Sequence, residues 1–194
     1  AKTSALFRNA VFAASADEIV LDETEGKVTL TLTSPILNGL QMIKFFEVTP
    51  DSYIINYRVQ LINRANEAQA VEVLYFFGEQ RLSDSNGGMR QVAHEGPVFY
   101  FDESLQTETT DDIEGELPVT QMKWLGVEDQ YFISAVVPMT TVRNGFFRAG
   151  AYLSDPQPNV QGERLLSPYF GVALPPTNLQ PNLLVESDFR MYYG

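Results

Sequence analysis

The dominant period of apolar and polar positions along this chain is two residues. Residues 28–33 (VTLTLT) alternate strictly, and residues 53–62 (YIINYRVQLI) place polar side chains at every second position over most of their length. Residues 71–77 and 183–193 repeat this pattern. Because successive side chains of a β-strand point to opposite faces, each segment is predicted to be a half-buried strand.

A second kind of apolar segment lies at residues 131–137 (YFISAVV), which are apolar except for Ser134. Such a run predicts a strand that is buried on both faces and central in its sheet. Trp124, the only tryptophan, and Gly126 precede it. We expect a packed indole to lead into this core strand, and a ligand platform on Trp124 is the alternative.

Turn-forming residues separate the predicted strands. Pro50-Asp51 divides two of them, and Asn144-Gly145 predicts a hairpin because a type I′ turn needs positive φ at both central residues. Both flanks of Asn144-Gly145 have strand-like sequences. Pro138 interrupts the first flank, which indicates a bulge or an edge position.

No segment of 12 or more residues has the period of an amphipathic helix, and 13 glycines and 11 prolines are spread along the 194 residues. This distribution is typical of an all-β chain with many turns. The sequence therefore predicts one antiparallel β-sandwich domain over residues 1–194.

The charge and composition limit the classes of partner. Acidic residues outnumber basic ones by 25 to 13, and the net charge of −12 should repel nucleic acids and anionic lipid head groups. Cysteine is absent, which excludes disulfides and thiolate metal sites. No run approaches the ~18 apolar residues of a membrane span, so we expect a soluble chain that could be a piece of a longer protein.

Histidine chemistry depends on one residue. His94 is the only histidine, which excludes metal sites that need two or three histidines and leaves it as the sole base for a serine triad. No G-x-S-x-G, P-loop or G-x-G-x-x-G motif accompanies it. We expect a loop residue before Gly96-Pro97, with a general acid or base as the alternative.

The segment 102–116 (DESLQTETTDDIEGE) carries seven carboxylates and no basic residue. Oxygen ligands of this kind could hold calcium, but their spacing is not that of an EF-hand loop. We expect a solvated connector, and a calcium site or a catalytic carboxylate pair are the alternatives.

Two further sets of residues suit binding. Arg143 and Arg148 flank the predicted turn and could hold an anion, although charges at a hairpin tip mostly favour solubility. The aromatic pairs could stack on sugars, but alternation favours a place in the core for them; they are Tyr169-Phe170 and Tyr192-Tyr193. From these residues we assign no catalytic, cofactor-binding or metal-binding site.

Three motifs follow one another in a fixed order along the chain. One closes at a proline and comprises Trp124, Gly126, Gln130, Tyr131, Phe132 and Pro138. Another comprises Leu179, Gln180, Pro181 and the closing Tyr192-Tyr193-Gly194, and the third is the strand 53–62 with Asn63 after it. Together they resemble the large periplasmic domain of the YidC membrane protein insertases of Gram-negative bacteria. The resemblance covers residues 28–194, and Asn182 stands where the family usually has glycine.

This resemblance implies a large twisted β-sandwich similar to the galactose mutarotase fold. It also implies a place on the periplasmic side of the inner membrane, between the first two spans of a multi-pass parent protein. The parent would insert and help to fold inner-membrane proteins, alone or with the Sec translocon. The resemblance implies that the domain is non-catalytic, without a cofactor, and a partner-interaction or chaperone-like module. Its partners would be the Sec translocon with its accessory subunits and nascent inner-membrane proteins.

A carbohydrate-binding or mutarotase-type sandwich enzyme is the alternative function. The fold class and the many aromatic and carboxylate side chains favour it. By family knowledge a mutarotase needs histidines and a glutamate around the sugar, which a chain with only His94 fits poorly.

Overall fold

The computed structural model describes residues 6–7, 9–21, 26–78, 81–82, 96–107, 115–128, 131–139, 142–153 and 165–194. These ranges contain fifteen β-strands and no helix, which confirms the all-β prediction. The strands are β1 Ala13–Ala14, β2 Val28–Thr33, β3 Leu40–Val48, β4 Ile54–Asn63, β5 Gln69–Val71, β6 Leu74–Gly78, β7 Arg81–Leu82, β8 Gly96–Phe101, β9 Ser104–Thr107, β10 Gly115–Glu128, β11 Ile133–Pro138, β12 Val142–Leu153, β13 Leu165–Ala173, β14 Thr177–Leu179 and β15 Leu184–Tyr193.

The chain divides into two compact units. Unit 1 comprises Ala1–Val73, Ala135–Thr141 and Pro175–Gly194, and unit 2 comprises Leu74–Ser134 and Val142–Leu174. Each unit is built from segments that are distant in sequence. The assignment of residues 1–194 to a single domain stays a prediction.

Unit 1 contains a sheet in which β1, β2, β3, β4, β15 and β11 are neighbours in that order. A second sheet pairs β5 with β14 in antiparallel register, from Thr177 opposite Val71 to Leu179 opposite Gln69. Leu40 and Leu61 of the larger sheet form one buried cluster with Val71 and Leu179 of the smaller sheet. The core of unit 1 therefore lies between the two sheets.

Three of the four strands predicted from alternation are confirmed within a residue or so at each end, as β2, β4 and β15. On β4, Val59 and Leu61 are buried while Arg58 is exposed, as the period of two requires. The fourth prediction, one strand over residues 71–77, is wrong. The structure divides this segment between β5, which pairs with β14, and β6, which pairs with β13.

Unit 2 is organised around the 14-residue strand β10. This strand pairs in antiparallel fashion with β8 on one side and with β12 on the other, and β12 continues to β13. Phe99 of β8 and two residues of β10, Met122 and Leu125, are almost completely buried. The rings of Phe99 and Phe101 stack with their centroids 4.7 Å apart.

The expectation that Trp124 leads into a strand at residues 131–137 is wrong. Trp124 and Gly126 lie inside β10, opposite Tyr100 and Val98 of β8, and the register shifts between Met122 and Trp124. The indole is half-buried, whereas Gly126 is buried. A bulge of this kind re-aims the side chains that follow it, which accounts for the incomplete burial of the tryptophan.

The strand after it is also less buried than its sequence predicts. Strand β11 begins only at Ile133, and Tyr131 and Phe132 are 76% and 65% exposed. Ala135 is the one residue of β11 classed as buried. The strand ends at Pro138, which agrees with the predicted interruption there.

The hairpin predicted at Asn144-Gly145 is wrong, because both residues lie within β12 and Gly145 is opposite Val119 of β10. Another Asn-Gly dipeptide, at residues 38–39 of unit 1, does form a turn. Asn38 and Gly39 have φ angles of 49° and 79°, which suit a type I′ turn. Backbone pairing along the whole of β12 keeps residues 144–145 extended, although an Asn-Gly dipeptide locally favours a turn.

Asn63, the last residue of β4, is fully buried and hydrogen-bonded through all its polar groups. Its Nδ2 donates to the carbonyl oxygens of Glu67 and Leu179, each at 2.8 Å, and its Oδ1 accepts from the amide of Ala65 at 2.9 Å. Its main chain bonds to Asn182 and Leu183. One side chain therefore ties the end of β4 to β14 and to the following connector.

The turn after β14 contains a residue in the left-handed region. Asn182 has a φ of 59°, and its amide donates to the carbonyl of Asn63 at 2.9 Å. Glycine and asparagine are the residues that adopt this conformation most readily. This backbone requirement explains why an asparagine at position 182 can stand where the family usually has glycine.

We expect Phe99→Ala to lower the free energy of unfolding by about 3–5 kcal/mol, because the ring is fully buried. Trp124→Ala should lower it by roughly 1–3 kcal/mol, since the indole is only half-buried. Urea unfolding followed by far-ultraviolet circular dichroism measures both without depending on tryptophan fluorescence. A larger loss for Trp124→Ala than for Phe99→Ala would contradict this assignment of the core.

We expect Asn63→Ala to lower the free energy of unfolding by about 2–4 kcal/mol, because it leaves the buried carbonyl of Leu179 and the amide of Ala65 without their partner. Asn56→Ala is the matched control, since Asn56 is exposed and bonds only Glu47 through its side chain. The control should change stability by less than about 0.5 kcal/mol. Similar losses for the two variants in urea unfolding would exclude the anchoring role of Asn63.

Candidate functional site

One face of the unit 1 sheet is polar, and we call it the polar face. It is formed by alternate residues of β4 and β15 that lie opposite one another in the register, which are Asn56, Arg58, Gln60, Glu186, Asp188 and Arg190, and by Glu47 of β3 opposite Asn56. The β3 residues opposite Arg58 and Gln60 on this face are apolar, Phe45 and Ile43. Because residues directly opposite in antiparallel strands share a face, these side chains form rows across the sheet. The ion pairs found among the described residues, Lys27 with Glu47 and Arg58 with Glu186 and Asp188, all involve carboxylates of the polar face.

Most charges of the polar face are paired with one another. The Nε of Arg58 donates to Asp188 at 2.7 Å and lies 3.9 Å from Glu186, which also accepts a hydrogen bond from Gln60. Hydrogen bonding to Asp188 and the nearby carboxylates raises the pKa of Arg58. The charges therefore neutralise one another locally, although each pair is exposed to water.

A second pair extends the rows toward the edge of the sheet. Lys27 donates to Glu47 at 2.7 Å, and Asn56 donates to the same carboxylate at 3.1 Å. These two hydrogen bonds, led by that from Lys27, lower the pKa of Glu47. The carboxylate therefore stays ionised and bonded over the physiological range of pH.

The opposite face of the sheet is mostly apolar, with Ser187 and Asn63 on it, and Lys44 is its charged residue along β2, β3, β4 and β15. This lysine lies opposite Leu32 on one side and Val59 on the other, so it shares their face. Its Nζ is 4.8 Å from the centroid of the Phe12 ring, a cation–π distance. Partial burial lowers the pKa of Lys44. Sequence alternation predicts an apolar face here but gives no reason to expect a charge on it.

The predicted acidic connector is only partly described. Asp102 and Glu103 form a turn with φ angles of 47° and 68°, and residues 104–107 form β9, which pairs with β8. The first part of the segment is therefore a hairpin rather than a connector. The alternatives of a calcium site or a carboxylate pair stay predictions, because residues 108–114 lie outside the described residues.

Other candidate residues are separated or undescribed. His94 lies outside the described residues. Arg143 and Arg148 lie on one strand, opposite Gln121 and Glu116 of β10, so they do not flank a turn. In the described ranges, no three side chains of histidine, aspartate or glutamate come together as a group that could hold a metal ion.

The aromatic pairs differ from the expected core positions. Tyr192 and Tyr193, at the end of β15, are 38% and 44% exposed, so their predicted place in the core is wrong. Tyr169 and Phe170 lie on β13, with Phe170 opposite Phe77 of β6, as expected for a strand pair. Partial burial raises the pKa of Tyr193.

Two functional features were missed by sequence reasoning. The first is the set of ion pairs between β4 and β15, which joins residues about 130 positions apart, such as Arg58 and Asp188. The second is Lys44 on the apolar face. The charges at every second position of β4 and β15 were visible in the sequence, but the register that matches them was not.

Among the described residues, no helix has the length and apolar composition needed to cross a membrane.

A family model for the YidC periplasmic domain matches residues 1–194. Relatives named membrane protein insertase YidC are similar over most of the chain. That from Geobacter metallireducens is 24% identical over 190 residues, which are 96% of this chain and 32% of the relative, and that from Aromatoleum aromaticum is 23% identical over 94% of this chain and 32% of the relative. The chain thus spans about a third of the length of these relatives.

Solved structures share the fold at low identity. A GH36 α-galactosidase from Geobacillus stearothermophilus has a TM-score of 0.55 at 8% identity, over 95% of this chain and 27% of that protein. A TPR-domain-containing protein from Parabacteroides distasonis has a TM-score of 0.55 at 10% identity, over 95% of this chain and 34% of that protein. These likenesses concern the fold alone, and the predicted fold class, an all-β antiparallel sandwich, is confirmed.

The family model covers every residue, and relatives named membrane protein insertase YidC match over most of this chain. The chain therefore belongs to the YidC periplasmic domain family.

Proposed function

We propose that this chain is a non-catalytic domain that binds protein partners for a membrane protein insertase on the periplasmic side of the inner membrane. The observation that carries the proposal is the match of the family model to all 194 residues. The whole parent would insert and help to fold inner-membrane proteins. The partners of the domain would be the Sec translocon with its accessory subunits, or nascent inner-membrane proteins.

The polar face of unit 1 is the partner surface that the geometry favours. Its side chains sit on β3, β4 and β15, which are joined by continuous backbone pairing, so their positions are held by the sheet. The ion pair of Arg58 with Asp188 is already formed in the free chain. A charge loses favourable hydration when a partner covers it. This loss is smaller for charges that are already paired than for isolated charges.

Residues 1–194 would act as one periplasmic domain in this role, although they form two compact units. The sugar-binding alternative has less support, because the likeness to an α-galactosidase at 8% identity concerns only the fold. Titration of the chain with galactose and glucose in a calorimeter should therefore give no binding heat. A saturable heat together with a raised melting temperature would favour the sugar-binding alternative over a domain that binds protein partners.

Site-specific crosslinking in the full-length protein tests the partner surface. We expect p-benzoylphenylalanine in place of Gln60, on the polar face, to form adducts with Sec translocon subunits or with nascent inner-membrane proteins. The same amino acid in place of Gln106, an exposed residue of β9 in unit 2, is the matched control and should form fewer. Adducts are identified by mass spectrometry after irradiation of living cells.

Equal yields at the two positions, or no adduct of either class at Gln60, would contradict a partner surface on the polar face. Arg58→Ala supplies a second comparison in the same cells. It breaks the ion pairs to Asp188 and Glu186 at a stability cost of less than about 1 kcal/mol, because all three side chains are exposed. A decrease in Gln60 adducts with unchanged protein level supports recognition of the charge rows.

A further inference from the structure

Four large side chains are exposed together at one end of the β4–β15 pair, and we call them the aromatic end. They are Tyr53 (73% exposed), Ile54 (42%), Tyr192 (38%) and Tyr193 (44%). Tyr192 is opposite Ile54 in the register, and the amide of Tyr193 donates to the carbonyl of Tyr53 at 3.2 Å. Ile54 and Tyr192 share one face of the sheet and Tyr193 points to the other, so this end exposes large side chains on both faces. Exposed apolar surface of this kind often marks an interaction site.

The aromatic end is uncharged, but a cation lies beside it. Arg190 is two residues before Tyr192 on the same strand and therefore shares its face, at roughly 7 Å along the strand. The other cations of this face are engaged, since Lys27 pairs with Glu47 and Arg58 with Asp188. Among the described residues, no carboxylate lies within 4.0 Å of Arg190. Its guanidinium is exposed and available to an external anion.

Tyrosine rings beside a free guanidinium match the chemistry of a lipid–water interface. A tyrosine ring is apolar along its body and polar at its hydroxyl, so it is enriched where hydrocarbon meets head groups. An arginine near such a ring can extend its side chain to a lipid phosphate, which accepts hydrogen bonds from the guanidinium. Relatives of this chain are named membrane protein insertases, so a bilayer is the nearest surface of this chemistry.

We propose that the aromatic end and Arg190 dock on the phospholipid head-group layer of a membrane, with the three tyrosine rings at the interface. This contact goes beyond the proposed binding of protein partners, because it uses the tyrosine rings at the end of the β4–β15 pair with Arg190, the residue of the polar face on β15 nearest that end, and leaves the rows of Arg58 and Gln60 uncovered. Docking by the strand ends would hold the rows of the polar face above the lipid surface. Protein partners could then approach the polar face from the side.

The net charge of −12 opposes the contact at long range but does not prevent it. Salt at physiological strength screens interactions between exposed charges beyond about 8 Å. Within that distance Arg190 attracts phosphate, whereas the exposed carboxylate of Asp51, two residues before Tyr53, opposes the contact. We therefore expect weak binding that is driven mainly by the tyrosine rings and oriented by the arginine.

Vesicle flotation of the 194-residue chain tests the docking. The probes are vesicles of pure phosphatidylcholine and vesicles with one quarter phosphatidylglycerol. We expect Tyr53→Ser/Tyr192→Ser/Tyr193→Ser to decrease the partition coefficient on both by at least about tenfold, through loss of buried ring area. Arg190→Gln should decrease it about fivefold on the anionic vesicles and less on the neutral ones.

Controls separate docking from general exposure and from folding. Tyr131→Ser, at a tyrosine that is 76% exposed outside the aromatic end, and Arg64→Gln should leave the partition coefficient unchanged. Circular dichroism verifies that each variant melts like the parent chain. If the triple variant does not fold, Tyr53→Ser alone, at the most exposed ring of the end, should decrease binding about threefold.

Three results would overturn the proposal. The first is equal binding by the parent chain and the tyrosine variants. The second is an equal loss of binding in Tyr131→Ser. The third is a dimer in sedimentation velocity that the triple variant converts to a monomer with no change in vesicle binding, which would assign the aromatic end to contact between two copies. None of these results depends on Sec subunits or nascent chains, so failure here leaves the crosslinking test of the polar face unaffected.

Discussion

The arrangement of unit 1 depends on the burial of one amide side chain. Asn63 is fully buried, and a buried amide is tolerated only when its donors and acceptor are bonded. Its bonds to Leu179 and Glu67 fix β14 and the connector after β4 at the same point. The smaller sheet is thereby held against the larger one, so that Leu179 packs in the cluster with Leu61. Hydrogen bonding here sets the geometry that hydrophobic burial then stabilises.

The two faces of the larger sheet contribute in different ways. Pairs such as Arg58 with Asp188 are exposed and add little to stability, typically less than about 1 kcal/mol each. The apolar face supplies most of the stabilisation, since Val59, Leu61 and Phe189 are buried there. The polar face is therefore free to vary in its charges without loss of the fold. This separation allows a binding surface to be built on a sheet that is stabilised from the other side.

The sequence predicted correctly the strands that are determined by alternation within one segment. It did not predict the features that depend on pairing between distant segments. Strands β2, β4 and β15 follow from their period of two. The Asn-Gly dipeptides show the limit, because Gly39 turns the chain while Gly145 lies in a strand paired with β10. Trp124 shows the same limit of local sequence, because the burial of its indole depends on a bulge in the pairing of β10 with β8. The ion pairs of the polar face likewise require a register that no single strand specifies.

The motif residues at 179–182 explain why a family resemblance identifies the fold before it identifies a partner. Asn182 occupies a left-handed conformation that glycine or asparagine can adopt, and Leu179 is buried and bonded through its carbonyl to Asn63. Both residues are fixed by backbone geometry and packing rather than by contact with another molecule. A partner would instead meet surface side chains such as the half-buried Gln60 or the exposed Tyr53, whose identity the fold does not require. This part of the family resemblance therefore rests on residues that build unit 1, whereas binding of a partner would rest on exposed side chains that the fold does not need.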